Sequence, residues 1–130
     1  MKNIFKIGDK QHFVKVVQAA DLAHFEQDKV HEVYGTFALG RDAEWCCRLF
    51  VKEMKEAHEE GIGTYLHVIH QSPALLGQEV HFEATIIKLE RNEIICTYIA
   101  RVGDRVIATG EQGQKIISKE KLAKLFETLI

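Results

Sequence analysis

Three residues in the first half of the chain carry side chains suited to acyl transfer: Thr36, Glu44 and His70. A hydroxyl, a carboxylate and an imidazole supply what such a reaction needs, because a carbonyl carbon must be attacked and a leaving group must be protonated. If the three side chains converge, they predict an enzyme that acts on an ester or a thioester. Whether they converge depends on the elements that hold them.

The first two of these residues lie at the start of one long helix, which the sequence predicts from about residue 37 to 59. Apolar side chains recur along it at steps of three and four, the mark of a single buried stripe: Leu39, Ala43, Cys46, Phe50, Met54 and Ala57. Gly61 supplies the stop that is expected just past a helix end. Thr36 then lies at the helix N-terminus, and Glu44 lies close to the buried stripe.

Strands fill most of the remaining sequence, after a short helical turn expected at 21–25. Alternating or β-branched apolar residues predict five of them. They span residues 13–18, 64–71, 79–89, 94–102 and 105–118. His70 lies near the end of the second strand. Because residues 94–102 are apolar on both sides, we expect that strand to be covered on both faces, one of them by a partner.

A second helix is predicted at the end of the sequence, capped by Ser118. Its apolar side chains are expected to face inward: Leu122, Leu125, Phe126 and Leu129. The complete order is a strand, a long helix and a four-strand antiparallel meander. One helix cannot cover both faces of an extended sheet, and this order therefore favours a curved antiparallel sheet wrapped around the central helix. We predict an α+β hotdog fold that forms one domain over residues 1–130.

The composition limits the kinds of partner that we expect. The 130 residues are 46% hydrophobic and 28% charged, as in a globular domain. A net charge of −2 offers no general attraction to nucleic acid or to anionic lipid. No apolar run approaches the roughly 18 residues that a membrane span requires, and the first residues lack the apolar region of a secretory signal. We therefore expect a cytoplasmic protein that binds neither nucleic acid nor membranes.

Metal and thiol chemistry are not favoured by the sequence. His67 and His70 are three residues apart on a predicted strand and would point to opposite faces, so we expect no metal site. Cys46 and Cys47 are adjacent on the long helix and point about 100° apart, and Cys96 stands alone in an apolar strand. We expect buried structural thiols, since a free cysteine commonly behaves as a small core residue. A catalytic thiol is the lesser alternative.

The spacing of the three candidate residues resembles that of a known family. Glu44 follows Thr36 by eight residues, and His70 follows Glu44 by twenty-six. Several neighbouring residues match as well: Trp45, Gly63, Thr64, Pro73 and Gly77. From the first strand to about residue 117 the chain resembles hotdog-fold thioesterases related to fluoroacetyl-CoA thioesterase. The resemblance implies that the three residues are the catalytic set and that the substrate is an acyl-CoA, with coenzyme A as a part of it and no separate cofactor.

Other residues are expected to line the substrate pocket. They precede the long helix, follow it, or lie on the last strand: Val30, His31, Tyr34, Gly35, Gly63, Gln112 and Gln114. Gln112 and Gln114 stand where relatives often carry a histidine and an arginine. Val30 stands where the fluoroacetyl-specific enzyme has an aromatic residue. We therefore expect the affinity for the ligand or the substrate preference to differ from that of these relatives. Nothing supports selectivity for a fluorinated acyl group.

Each candidate residue has a catalytic and an ordinary interpretation. In the first, Glu44 attacks the thioester carbonyl or activates water, and His70 is the general acid–base. Thr36 orients the carboxylate while the helix N-terminus stabilises the developing oxyanion. In the second, Glu44 is a surface residue paired with Arg41 or Arg48. Thr36 then caps the helix with its hydroxyl, and His70 is structural.

We predict an acyl-CoA thioesterase that acts without a metal or a redox cofactor. The resemblance implies a homodimer, or a tetramer, whose sheets join edge to edge with CoA at the interface. Three alternatives remain open: an acyl-thioester dehydratase or hydratase, a non-catalytic acyl-CoA binder, and a purely structural dimerisation domain.

Overall fold

A five-stranded sheet packed against one long helix makes up most of the molecule, an α+β fold as predicted. The computed structural model describes residues 1–25 and 28–130, and the side chains outside 25–30. The strands are β1 Lys10–Val16, β2 Leu22–Phe25, β3 Asp28–Tyr34, β4 Glu59–His70, β5 Glu79–Glu90, β6 Glu93–Val102 and β7 Arg105–Ser118. The helices are α1 Thr36–Met54 and α2 Lys119–Thr128, with a 3-10 turn at Ala19–Asp21.

The strand order differs from the predicted four-strand meander. The sheet runs β1-β5-β6-β7-β4 with antiparallel neighbours, and β2 pairs with β3 in a separate hairpin. β5, β6 and β7 form a meander, but β4 pairs with β7, from Glu59 opposite Ser118 to His70 opposite Ala108. In the described part of the chain β4 is therefore an edge strand. The other edge strand is β1, and the 94–102 strand, β6, lies in the middle of the sheet.

The core lies between α1 and the inner face of the sheet. Five residues of the predicted helix stripe are at most 2% exposed: Leu39, Ala43, Cys46, Phe50 and Met54. The sixth, Ala57, is exposed and lies beyond the end of the helix. The facing rows of β5 and β6 are at most 1% exposed: Val80, Phe82, Ala84, Ile86, Ile94, Cys96, Tyr98 and Ala100. Burying a side chain of this kind contributes roughly 1.5–3 kcal/mol. These apolar rows therefore fix α1 on the sheet, and the three cysteines are buried free thiols as expected.

The long helix is shorter than predicted. It ends at Met54, because Lys55 adopts an extended backbone while its N–H still closes the last turn on the Val51 carbonyl. Gly61 lies inside β4 and does not stop the helix. A Cβ at this position would overlap the Val51 side chain, so the glycine lets the strand approach the end of α1. The helical turn predicted at 21–25 lies earlier, at Ala19–Asp21, and is followed by β2.

The final helix begins as predicted but does not bury its apolar face. The Ser118 hydroxyl accepts a hydrogen bond from the Lys121 N–H at 3.1 Å, which is an N-cap. Leu125, Phe126 and Leu129 are 49%, 54% and 73% exposed. The expectation that they face inward is wrong, because periodicity defines an apolar face without defining what covers it. None of the described helices has the length and apolar character needed to span a membrane.

Candidate active site

Thr36 and His70 meet at one end of α1. Thr36 is the first residue of the helix, and His70 is the last residue of β4. The Thr36 Oγ1 atom lies 3.0 Å from His70 Nδ1, a hydrogen bond between a hydroxyl and an imidazole. The residue at the N-cap position is Gly35. The Thr36 hydroxyl therefore does not cap the helix, and it is directed at the histidine instead.

The environment of His70 favours a neutral imidazole. Burial disfavours the charged ring and lowers the pKa of His70, although a backbone hydrogen bond with Ser72 opposes this effect. The second ring nitrogen, Nε2, is buried and has no hydrogen-bond partner within the residues that the structure describes. A neutral imidazole with one nitrogen against a hydroxyl can accept that proton, which is the geometry of a general base.

A cleft of about 870 Å³ opens at this end of the helix. Its walls include small and apolar side chains from β2, α1 and β4: Leu22, Ala23, Ala38, Leu66 and Val68. Thr36 lines the cleft together with the next residues of the first helical turn. The N-terminus of a helix carries partial positive charge, which stabilises a carbonyl oxygen that gains negative charge. The cleft can therefore hold an apolar acyl group with its carbonyl near Thr36.

Glu44 lies elsewhere on the same helix. Eight residues of α-helix separate it from Thr36, which corresponds to about 12 Å along the helix axis. It borders a shallow depression with Arg41, Trp45 and Arg48. Its Oε1 atom lies 3.2 Å from the point that a Cβ on Gly63 would occupy. Within one chain, the structure brings Thr36 and His70 together and leaves Glu44 apart from them.

The two arginines near Glu44 are engaged by other groups. Arg41 Nη2 lies 2.8 Å from Asp21 Oδ1 and 3.0 Å from Asp42 Oδ2. Arg48 Nη1 donates to the Gly61 carbonyl at 3.3 Å. In residues 1–25 and 28–130, no group forms a hydrogen bond or an ion pair with the Glu44 carboxylate. The interpretation of Glu44 as a surface residue paired with an arginine is therefore not supported.

The predicted pocket residues that precede α1 fall into three groups. His31 and Gly35 line the cleft. Tyr34 is fully buried and donates to Asp42 Oδ2 at 2.5 Å, so it belongs to the core and not to the cleft wall. Burial and the adjacent carboxylate both raise the pKa of Tyr34. The side chain of Val30 lies outside the described residues, and its predicted contact with substrate stays a prediction.

The predicted pocket residues that follow α1 lie beneath the helix, outside the cleft. Gln112 and Gln114 are fully buried on the inner face of β7. Gln114 Nε2 donates to the Cys47 carbonyl at 3.2 Å. Gln112 Nε2 lies 3.9 Å from the point that a Cβ on Gly63 would occupy. Gly63 and Gln112 therefore lie near Glu44, and neither they nor Gln114 line the acyl cleft.

Two features of the cleft were not singled out from the sequence. His24 lines it, and so does the ion pair between Asp21 and Arg41. Burial acts to raise the pKa of Asp21, but hydrogen bonds from Arg41, the Gln18 N–H and Lys15 lower it overall. The signal was present in the sequence, because an acidic residue inside an apolar segment requires a partner. Within the described residues, no group of three or more His, Cys, Asp or Glu side chains could hold a metal ion.

The sequence matches the model of the fluoroacetyl-CoA-specific thioesterase family over residues 17–120. The chain belongs to this thioesterase family. A hypothetical protein from Thermus thermophilus, described as a thioesterase superfamily member, is 30% identical to the chain. The alignment covers 98% of this chain and 94% of that one, with a TM-score of 0.91. A search of curated proteins finds no match.

Two further solved structures show that the fold of the family is shared. The fluoroacetyl-CoA-specific thioesterase, as a mutant in complex with fluoroacetate and CoA, is 21% identical over 91% of this chain and 99% of that one, with a TM-score of 0.84. A hot-dog-like protein from Thermanaerovibrio acidaminovorans is 22% identical over 97% and 93%, with a TM-score of 0.87. The predicted hotdog fold is confirmed.

Proposed function

We propose that this protein hydrolyses acyl-CoA thioesters to a free acid and CoA. The hydrogen bond of 3.0 Å between Thr36 and His70 carries the proposal, because it places a hydroxyl and a base at the mouth of an apolar cleft. Membership of a thioesterase family supports this class of reaction. The solved relatives include complexes with CoA and with acetyl-CoA, which favours the same kind of substrate here.

A second copy of the chain completes the site in this proposal. β4 offers an open sheet edge, and along it Gly63 lies beside Glu44 while His70 lies beside Thr36. Antiparallel pairing of two β4 strands about a point between residues 66 and 67 sets Gly63 of one copy opposite His70 of the other. Glu44 of one copy then approaches the Thr36–His70 pair of the other. The expected homodimer thus has two shared sites.

Three observations support this arrangement. His70 Nε2 and the Glu44 carboxylate each lack a partner among the described residues, and each could satisfy the other. Gly40 is midway between Thr36 and Glu44, and a Cβ there would lie 3.3 Å from Leu66. The middle of the helix segment 36–44 therefore lies against the middle of the strand segment 63–70. A twofold axis at this point would place Glu44 of one copy near Thr36 and His70 of the other. The pairing also covers the open edge of β4, which otherwise invites unspecific strand addition.

The steps of the reaction follow from this geometry. The thioester carbonyl lies at the N-terminus of α1, and a nucleophile adds to its carbon. Glu44 of the second copy either activates a water or attacks the carbonyl itself, and Thr36 is a further nucleophile because its hydroxyl already contacts His70. If Glu44 or Thr36 attacks, an acyl-enzyme forms as the C–S bond breaks, and a water then releases the free acid and restores the side chain. His70 takes a proton from the attacking hydroxyl or water and passes it to the CoA thiolate. That the reaction needs no metal or redox cofactor stays a prediction, as does a cytoplasmic location.

Release of thiol from a panel of acyl-CoAs tests the function. We expect turnover by the unmodified protein and a loss of about 1,000-fold or more in kcat for His70→Ala and for Glu44→Ala. Interconversion of enoyl-CoA and hydroxyacyl-CoA without thiol release would indicate a dehydratase or hydratase. Binding without turnover would indicate a non-catalytic acyl-CoA binder. Full activity in both variants would overturn the proposed site.

Rapid acid quenching followed by trypsin digestion identifies the nucleophile. Trypsin cuts after Lys29, Arg41 and Arg48, which places Thr36 and Glu44 on separate peptides, 30–41 and 42–48. An added acyl mass on 42–48 assigns attack by Glu44, and the same mass on 30–41 assigns attack by Thr36. An acyl mass on neither peptide excludes a stable ester on Thr36, because only an anhydride on Glu44 would hydrolyse during the digestion.

A further inference from the structure

Gln112 is a buried amide that the core does not require. It is fully buried on β7, and both its Nε2 and its Oε1 lack a hydrogen-bond partner among the described residues. Buried polar atoms that are left unpaired lower the stability of the folded chain. Its neighbours across the sheet, Leu66 and Cys96, are not polar partners for it. An apolar side chain would be more stable at this position. The amide therefore indicates a role toward a neighbouring group.

Glu44 lies beside this amide, across a gap left by Gly63. A Cβ on Gly63 would lie 3.2 Å from Glu44 Oε1 and 3.9 Å from Gln112 Nε2, so a side chain there would fill the space between the two groups. The carboxylate can only accept hydrogen bonds, and the amide nitrogen supplies two donors. An unpaired acceptor and an unpaired donor therefore face the same opening in the strand.

We propose that Gln112 is a positioning residue that holds the Glu44 carboxylate through this gap. Its Nε2 donates to Glu44 Oε1, directly after a change of rotamer or through one bridging water. The hydrogen bond orients the carboxylate toward the cleft of the second copy. This inference rests on the proposed function, in which Glu44 attacks the thioester or activates water. A histidine at this position would offer the same kind of N–H donor.

Gln112→Leu tests the proposal, because leucine is of similar size and lacks the donor. We expect kcat to fall about 10-fold or more while KM stays within about 2-fold, since the orientation of a reacting group is lost and not a contact with substrate. The thermal midpoint stays the same or rises, because two unpaired polar atoms are removed. Gln112→His retains a donor and is expected to keep kcat within about 3-fold of the unmodified enzyme.

The matched control is Cys96→Ala, which changes the cross-strand neighbour of Gln112 on the same buried face. We expect it to lower the thermal midpoint and to leave kcat per folded molecule unchanged. In a Glu44→Asp background, Gln112→Leu should lower kcat by less than about 2-fold further, because the shortened carboxylate is already out of reach. Equal losses of kcat from Gln112→Leu and Cys96→Ala would overturn the proposal.

The failure of this inference is distinguishable from the failure of the proposed function. If Glu44→Ala abolishes turnover while Gln112→Leu leaves kcat unchanged, the positioning role is wrong and the thioesterase activity stands. If neither change affects turnover, both are wrong. Should Gln112→Leu not fold, Gly63→Ala fills the same gap from the strand, and an unchanged kcat in that variant overturns the positioning role.

Discussion

The two ends of the first half of α1 carry different chemical groups. At the N-terminus, Thr36 and His70 form a hydroxyl–imidazole pair beside a large apolar cleft. Two turns along, Glu44 carries an unpaired carboxylate beside Gly63 and a shallow depression. One end has a base and a place for substrate, and the other has an acid group with neither. This difference is why we propose that two copies, related by a twofold axis, make each site.

Mixing two inactive variants gives the largest expected effect. A dimer of one Glu44→Ala chain and one His70→Ala chain contains one site with both residues intact. Co-refolded mixtures should therefore regain about a quarter of the unmodified activity, since about half of the dimers are mixed and each has one working site. Thiol release before and after co-refolding measures this rise from background.

A double variant supplies the control for this mixing. Chains that carry both Glu44→Ala and His70→Ala cannot form a complete site with either single variant or with the unmodified chain. Mixing them with either single variant should restore nothing. If mass spectrometry shows mixed dimers of the two single variants but no activity returns, the shared site is ruled out.

Asp42→Asn, at a position between Thr36 and Glu44, is expected to lower the stability of the fold without lowering the catalytic rate. Asp42 is 5% exposed and binds both the Tyr34 hydroxyl and Arg41. Losing its charge should lower the free energy of unfolding by about 1–3 kcal/mol. We expect a smaller loss of stability than for a fully buried ion pair, because the Arg41 side chain is 56% exposed. Urea unfolding measures the loss, and kcat of the folded variant should change less than about 2-fold. A larger fall in kcat would assign this network to the active site.

The pKa of His70 tests whether Glu44 of a second copy lies close to the imidazole. Burial alone lowers it from the ordinary value of 6.5, and a carboxylate from the second copy would raise it again by favouring the charged ring. NMR titration should therefore give a lower pKa for His70 in Glu44→Gln than in the unmodified protein. The same value in both proteins would mean that Glu44 of the second copy does not approach His70.

The lowered pKa of His70 also makes the stability of Glu44→Gln depend on pH. In Glu44→Gln, the unfolded chain takes up a proton near pH 6.5, while the folded imidazole resists it until a lower pH. The variant should therefore lose stability as the pH falls from 6.5 through the lowered pKa of His70, and should regain it above 6.5. Thermal midpoints measured between pH 5 and 7.5 provide the check.

Phe126→Ser gives the smallest expected effect. Phe126 is 54% exposed on α2, which buries none of its residues. The free energy of unfolding should change by less than about 0.5 kcal/mol. Phe50→Ala, at a fully buried position of α1, should cost about 3–5 kcal/mol in the same assay. A cost above about 1 kcal/mol for Phe126→Ser would show that another surface covers this helix in solution.

The local elements could be predicted from the sequence, but their pairing could not. β7 was predicted over the residues that it spans, and the alternating rows of β5 and β6 are buried as expected. These patterns record which face of an element is covered. They do not record which strand lies alongside, so the pairing of β4 with β7 was not foreseen. The end of α1 was missed because its periodic pattern continues to Ala57, past the residue where the backbone turns extended.

The candidate residues could be chosen from the sequence, but their arrangement in space could not. Thr36 and His70 are in contact, as the start of a helix and the end of a strand allow. Glu44 lies on the predicted helix, and its eight residues of separation from Thr36 correspond to about 12 Å within one chain. The roles of Gly63 and Gln112 around Glu44 depend on contacts between distant strands. Periodicity gives no signal for such contacts.

The wall of the acyl cleft formed by residues 20–24 is joined to α1 by the ion pair between Asp21 and Arg41. The rest of this wall between residues 20 and 24 includes two alanines, Ala20 and Ala23. Larger side chains at these two positions would shorten the cleft without moving Thr36 or His70. Substitutions in this short segment can therefore change the preferred length of the acyl group. Thr36 and His70 stay the same, so the chemistry is kept while the substrate changes.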